Sequence, residues 1–311
     1  MAHHTWTDGL DDITVVASDG ARLQVFTRKG DPDLLPVVLL HGVAQTRRFW
    51  GPTFRHLPPE WPLAIVDQRG HGDSDVAITE AISFQRFGAD VGAVLDHLDW
   101  EQAVVVGHSW GGAVALTTAA LYPDRVISVV AIDGGLVALQ DLGDRAVTRR
   151  KLTPPDKSWD AARLPGLFAR SPIGPWLTDD VTAALMAAYD IDADGQARSK
   201  LGFERHMHIL DGMLDEHPEE YLSHITSPAW VVIAEPLPTS GDPYATDSWA
   251  SSRDAAVERA VGLLEQPRVV RITGALHDVP LQYPNLVAGV VASAHDEAVL
   301  FGTARKGAPA S

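Results

Sequence analysis

The residue best placed to do chemistry in this chain is Ser109. It sits in Gly107-His108-Ser109-Trp110-Gly111, a G-x-S-x-G box that closes the apolar run Ala103 to Val106. A serine flanked by two such glycines suits a sharp strand-to-helix turn, because a larger side chain on either flank would collide with the neighbouring chain. The turn lifts Ser109 Oγ out of the packed interior. It also sets the Trp110 N–H at a helix start, where amides without intrahelical partners face a developing oxyanion. Taken alone, the five residues fit equally a glycine-rich turn that packs a helix on a sheet.

The surrounding elements supply the context. Ala103 to Val106 reads as a short buried strand, and Ala113 to Leu121 as a small-residue helix ending at Tyr122-Pro123. Upstream, the apolar strand Pro36 to Leu40 runs into His41-Gly42-Val43, and Pro62 to Val66 runs into Asp67-Gln68-Arg69-Gly70-His71-Gly72-Asp73-Ser74. These three linked motifs, in this order, closely resemble the α/β-hydrolase fold superfamily. The resemblance extends from about Val15 to about Ala294 and is weakest between Leu136 and Ile225. It implies an α/β fold: a mostly parallel eight-stranded sheet with helices on both faces and an inserted helical cap. Active groups then belong at the C-terminal ends of the strands.

A serine hydroxyl is nearly inert at neutral pH without a base. In the resembled fold the base is a histidine near the chain end. His277 fits, after the apolar strand Arg268 to Thr273 and before the helix-forming Asn285 to Ala294. His41, His71 and His108 belong to the backbone motifs, where hydrogen bonding in support of the site is the expected role. The acid departs from the pattern of most relatives, which carry an aspartate a few residues after the strand Ala229 to Ala234. Leu237 stands there instead. Asp133, following the strand Val126 to Ile132, is the first candidate, Glu235 is the alternative, and Asp242 or Asp247 in the next loop are more remote ones. Each would accept the Nδ1–H of His277 and stabilise the imidazolium. By the same resemblance the oxyanion hole is formed by the backbone amides of Val43 and Trp110.

Composition bounds the partners. The 311 residues are 45% apolar and carry a net charge of −16, which disfavours nucleic acid and anionic membrane as partners. No cysteine is present, so cysteine hydrolases and thiolate metal sites are excluded. The first thirty residues hold no apolar stretch long enough for a signal-peptide core, and no run spans a membrane, so a cytoplasmic protein is expected. Asp190-x-Asp192-x-Asp194-Gly195 opens like a calcium loop, but its twelfth position is Leu201 instead of a bidentate glutamate. His206 and His208 stand two apart on an expected helix, so their rings diverge and do not suit chelation.

Residues 1–135 and 226–302 are therefore expected to form the hydrolase core, 136–225 a helical cap, and 303–311 a flexible tail. Phe168, Trp176, Leu185, Met186, Tyr189, Leu201, Phe203, Met207, Ile209, Leu210 and Met213 give the cap its apolar content, and only a minority of them should reach substrate. The expected activity is hydrolysis of a carboxylic ester or lactone bond in a fairly apolar small molecule through an acyl-enzyme, with no cofactor and no metal. A carbon–carbon bond hydrolase, an amidase or a cofactor-free haloperoxidase would use the same site, and a non-catalytic binding relative would keep the pocket. Ser109 argues against the epoxide hydrolases and dehalogenases that resemble this fold, since those use an aspartate nucleophile.

Overall fold

The computed structural model describes residues 6–75 and 83–307. Its strands are β1 (Asp11–Val16), β2 (Arg22–Arg28), β3 (Val37–Leu40), β4 (Leu63–Val66), β5 (Ala103–His108), β6 (Val126–Ile132), the short β7 (Trp159–Asp160), β8 (Tyr189–Ile191) and β9 (Gln196–Ser199), then β10 (Ala229–Glu235) and β11 (Pro267–Thr273). Eight of them form one sheet in the order β1-β2-β4-β3-β5-β6-β10-β11. Only the pairings of β2 with β1 and with β4 are antiparallel.

Every residue of β3, β4, β5 and β6 is buried, as unbroken apolar strands must be when helices cover both faces of a sheet. The period of two decides which core each side chain joins. Val38 and Leu40 pack with the helices Phe84–His97, Trp110–Leu121 and Asp247–Leu263. Val37 and Leu39 face the other way, toward Phe49, Trp50 and the helix Pro284–Gly307. After β3 the chain crosses to β4 on one side, and β5 then pairs with β3 on the other. This reversal leaves a crevice beyond the carboxyl ends of β3 and β5, and His41-Gly42-Val43 and Ser109 lie at those ends.

Three expectations need correction. Segment 136–225, inserted between β6 and β10, is not purely helical: beside helices such as Arg145–Leu152, Asp179–Met186 and Phe203–Leu214 it holds a three-stranded sheet, β7-β9-β8. The acidic run is the turn of that sheet. Asp192 Oδ1 accepts the Asp194 and Gln196 amides at 3.0 and 2.8 Å, and Gly195 takes φ +74°, so the aspartates close a hairpin. Ala255 to Leu264 reads as a helical segment in the sequence, but the helix begins earlier, at Asp247, capped by Thr246 Oγ1 on the Trp249 amide at 3.3 Å. Finally, Pro284–Gly307 is one continuous helix through most of the expected tail, and residues 308–311 lie outside the described residues. Among the described residues no helix is long and apolar enough to cross a membrane.

Candidate active site

Ser109 lies between β5 and the helix Trp110–Leu121 with φ 53° and ψ −123°, a conformation that costs a non-glycine residue about 1–3 kcal/mol. Two backbone bonds hold it there: Ser109 N–H donates to the Ile132 carbonyl at 2.8 Å, and the Ser109 carbonyl accepts the Gly112 N–H at 2.8 Å. The flanking glycines are steric necessities. A Cβ on Gly107 would overlap the Gly111 carbonyl, and one on Gly111 would overlap the carbonyls of Leu40 and His41. Gly107→Ala is therefore expected to destabilise the fold by about 3 kcal/mol. A urea-unfolding midpoint unchanged from the wild type would show that the two chain segments are not so closely apposed.

Opposite the serine, His277 Nε2 stands 2.9 Å from Ser109 Oγ, and His277 Nδ1 stands 2.6 Å from Asp133 Oδ2. A carboxylate only accepts, so Nδ1 carries the proton and Nε2 is left free to accept the serine's. Asp133 is itself held at φ 47°, with its N–H on the Val232 carbonyl at 2.7 Å and its Oδ1 receiving the Ala234 N–H at 3.0 Å. Glu235, the alternative acid, is turned toward β11, where Arg271 Nη1 and Thr273 Oγ1 each donate to it at 2.9 Å. Asp242 does not meet the imidazole ring. Its Oδ2 accepts the His277 backbone N–H at 3.1 Å and its Oδ1 the Tyr244 N–H at 2.8 Å, so it braces the loop that carries His277. Asp247 occupies the first turn of the helix Asp247–Leu263.

The His277 ring is largely withdrawn from solvent, its side chain 21% exposed, which by itself lowers its pKa. The Asp133 hydrogen bond and charge, with Asp278 and Asp242 behind them, more than reverse this, and the net shift is upward. His108 supports the same residue from below: its ring stacks on Phe49 at 4.9 Å, and its Nε2–H donates to the His277 carbonyl at 2.9 Å. Burial holds His108 far below the ordinary histidine range and therefore neutral. Tyr244 closes the site from outside, its ring centroid 4.6 Å from that of His277. No motif in the sequence points to Tyr244, which lies in the proline-, glycine- and serine-rich stretch after β10.

The amides of Val43 and Trp110 have no hydrogen-bond partner among the described residues. The loop that carries Val43 is fixed by groups that the motif supplies. His41 Nδ1–H donates to the Gly42 carbonyl at 2.8 Å, while Nε2 accepts the Gln68 N–H at 3.2 Å, an arrangement that needs a neutral ring. Burial lowers the His41 pKa to about 4, in agreement. Gln45, which the sequence reading did not single out, joins this loop to the histidine loop. Its Oε1 accepts the Gly42 N–H at 2.8 Å and its Nε2 donates to Asp278 Oδ1 at 3.2 Å.

Ser109, Asp133, His277, Val43 and Trp110 all line one cavity of about 260 Å³. Leu136, Val137 and Leu139 form part of its wall, and from the helix Phe203–Leu214 come His206, Leu210 and Met213. Of the apolar residues singled out in the insertion, only Leu210 and Met213 reach the cavity. Leu201, Met207 and Ile209 are buried within the protein.

The sheet order and the crossovers between its parallel strands define the class: the chain has the α/β-hydrolase fold. Residues 36–187 match the model of the alpha/beta hydrolase fold family. In sequence the chain is similar to lipase LipV of Mycobacterium tuberculosis, 40% identical over 120 residues, which are 39% of this chain and 44% of the lipase. It is also similar to epoxide hydrolase B of the same organism, 41% identical over 102 residues, 31% of this chain and 28% of that enzyme. The matched stretch thus spans less than half the length of either relative. In structure it resembles E-2-(acetamidomethylene)succinate hydrolase with a TM-score of 0.75 at 21% identity, covering 92% of this chain and 99% of the other, a likeness of fold.

Proposed function

We propose that the protein is a serine hydrolase that cleaves carboxylic ester or lactone bonds of small, fairly apolar molecules. One observation carries this reading: the unbroken chain from Ser109 Oγ through His277 to Asp133, with links of 2.9 and 2.6 Å, opening onto a largely apolar cavity. In this scheme His277 Nε2 takes the hydroxyl proton as Ser109 Oγ attacks the acyl carbon. The carbonyl oxygen, now anionic, is met by the Val43 and Trp110 amides, each such donor being worth about 3 kcal/mol in the transition state. Collapse of the tetrahedral adduct breaks the bond to the alcohol oxygen, which receives the proton from His277; in a lactone that alcohol stays tethered. Water, deprotonated by His277, then releases the acid from the acyl-enzyme.

The similarity to an epoxide hydrolase does not change this reading. That chemistry places an aspartate at the elbow, and Ser109 occupies the position here. A burst of p-nitrophenol from p-nitrophenyl butyrate, followed by a slower steady state, tests for the acyl-enzyme. Hydrolysis without any covalently acylated Ser109 in the quenched protein would rule it out.

The pH profile provides a second test. His277 accepts a proton only when neutral, so kcat/KM falls as the pH drops through its pKa. That pKa is raised above its ordinary value of 6.5, so the acid limb on p-nitrophenyl butyrate is expected to have its midpoint above 6.5. Removing the Asp133 charge should move the limb to lower pH. A wild-type midpoint below 6.5 would contradict the arrangement.

A further inference from the structure

The helix Asp247–Leu263 presents Trp249, Arg253 and Val257 to the cavity. They are spaced four apart, so they form one stripe on one helix face. The middle of an otherwise apolar stripe is occupied by a guanidinium. Arg253 is only 8% exposed, and it is the only arginine or lysine lining the cavity among the described residues.

Its hydrogen bonding is incomplete. Nη1 donates to the Ala234 carbonyl at 3.0 Å, but Nε has no hydrogen-bond partner and Nη2 makes no hydrogen bond among the described residues. The nearest carboxylate is Asp254, 3.5 Å from Nε; it is 55% exposed and is held more closely by Arg271, at 2.8 Å. A buried guanidinium with donors to spare is costly unless something satisfies it, and a carboxylate does so best.

The other titratable groups around the cavity do not fill that need. Asp133 is committed to His277 and to the Ala234 amide. His206 is kept toward its neutral form by burial. Glu216 forms no ion pair with Arg253; its Oε1 lies 2.9 Å from the Tyr221 hydroxyl, which lies 3.0 Å from the Gly135 carbonyl. The Tyr221 hydroxyl thus faces two acceptors, Glu216 Oε1 and the Gly135 carbonyl, and ties Glu216 to the wall away from Arg253. Burial pushes the Glu216 carboxyl up to about 8, consistent with a neutral acid at neutral pH.

We infer that Arg253 is a carboxylate-binding group, and that the substrates of this site are esters or lactones with an apolar body and a carboxylate remote from the scissile bond. The inference rests on the hydrolase reading above and narrows its substrate class. Such a molecule would place its acyl carbon at Ser109, its chain along the apolar wall, and its anionic end on Arg253 Nη2, since Nε is wholly buried.

The test compares two esters of closely similar shape, mono-p-nitrophenyl glutarate and p-nitrophenyl 5-methylhexanoate, which differ in whether the chain ends in a carboxylate or an isopropyl group. Wild-type kcat/KM is expected to favour the glutarate by about 10- to 100-fold. Arg253→Gln should bring the ratio to about one, while Arg253→Lys keeps part of it. A wild-type ratio of one or less overturns the inference, and so does a ratio that survives in Arg253→Gln. A purely structural arginine would lower both rates and leave their ratio intact. Calorimetry of both esters on Ser109→Ala protein gives the same comparison without turnover. If wild type cleaves neither ester but the Ser109→Ala protein binds the glutarate more tightly, the hydrolase reading falls and the carboxylate site stands. Equal binding overturns the carboxylate site whatever the turnover.

Discussion

Ser109→Ala is expected to lower kcat on p-nitrophenyl butyrate by about 10⁴-fold or more, with no burst. The size follows from the site's construction. The amides of Val43 and Trp110, which have no partner of their own among the described residues, and the apolar cavity wall would still bind the ester in the variant. What it loses is the only oxygen within 2.9 Å of His277 Nε2 among the described residues. Residual hydrolysis would have to come from water, with the remaining groups binding the ester and stabilising the oxyanion. The fold should tolerate the change, because the backbone bonds to Ile132 and Gly112 hold the turn and the hydroxyl makes no other hydrogen bond. Circular dichroism of the two proteins should therefore coincide, and turnover within tenfold of the wild type would refute the assignment of Ser109 as nucleophile.

The second large effect separates two carboxylates. Asp133→Asn is expected to reduce kcat by about 10⁴-fold, because an amide placed 2.6 Å from Nδ1 either offers a donor where the ring has one or turns the ring into the wrong tautomer. Glu235→Gln should leave turnover close to that of the wild type. Its carboxylate serves Arg271 and Thr273, and losing a partly exposed pair of this kind costs under about 1 kcal/mol of stability. Steady-state kinetics on both variants decides between them, and the reverse order of losses would transfer the acid's role to Glu235.

The choice between these acids shows where reading the chain stops. Both residues follow strands whose carboxyl ends lie side by side, β6 and β10, which pair in parallel with Ile132 opposite Val232. Linear order places both near the histidine loop. Only the folded backbone shows that Asp133, at φ 47°, turns back over the sheet edge onto His277, while Glu235 continues the extended strand and faces β11. The start of the helix at Asp247 is illegible in the sequence for a different reason. It lies in a proline-, glycine- and serine-rich stretch, and the Thr246 cap, the one local signal, is a single hydrogen bond. The strands of the insertion are two to four residues long, too short for an alternation of polar and apolar residues to reveal.

The chain by itself determined the sheet and the glycine-flanked turn that carries Ser109. Buried parallel strands must be apolar throughout, and a turn this tight admits only glycine at its flanks, so both constraints are written residue by residue. The tertiary structure alone decided which carboxylate meets the imidazole, that Asp242, Gln45, His108 and Tyr244 brace His277 and the loop of Val43, and that a guanidinium from a distant helix enters the cavity. Each of these depends on the direction of a side chain across a gap between segments tens to hundreds of residues apart. No local pattern encodes that direction, because it is set by the packing of both segments against the same core.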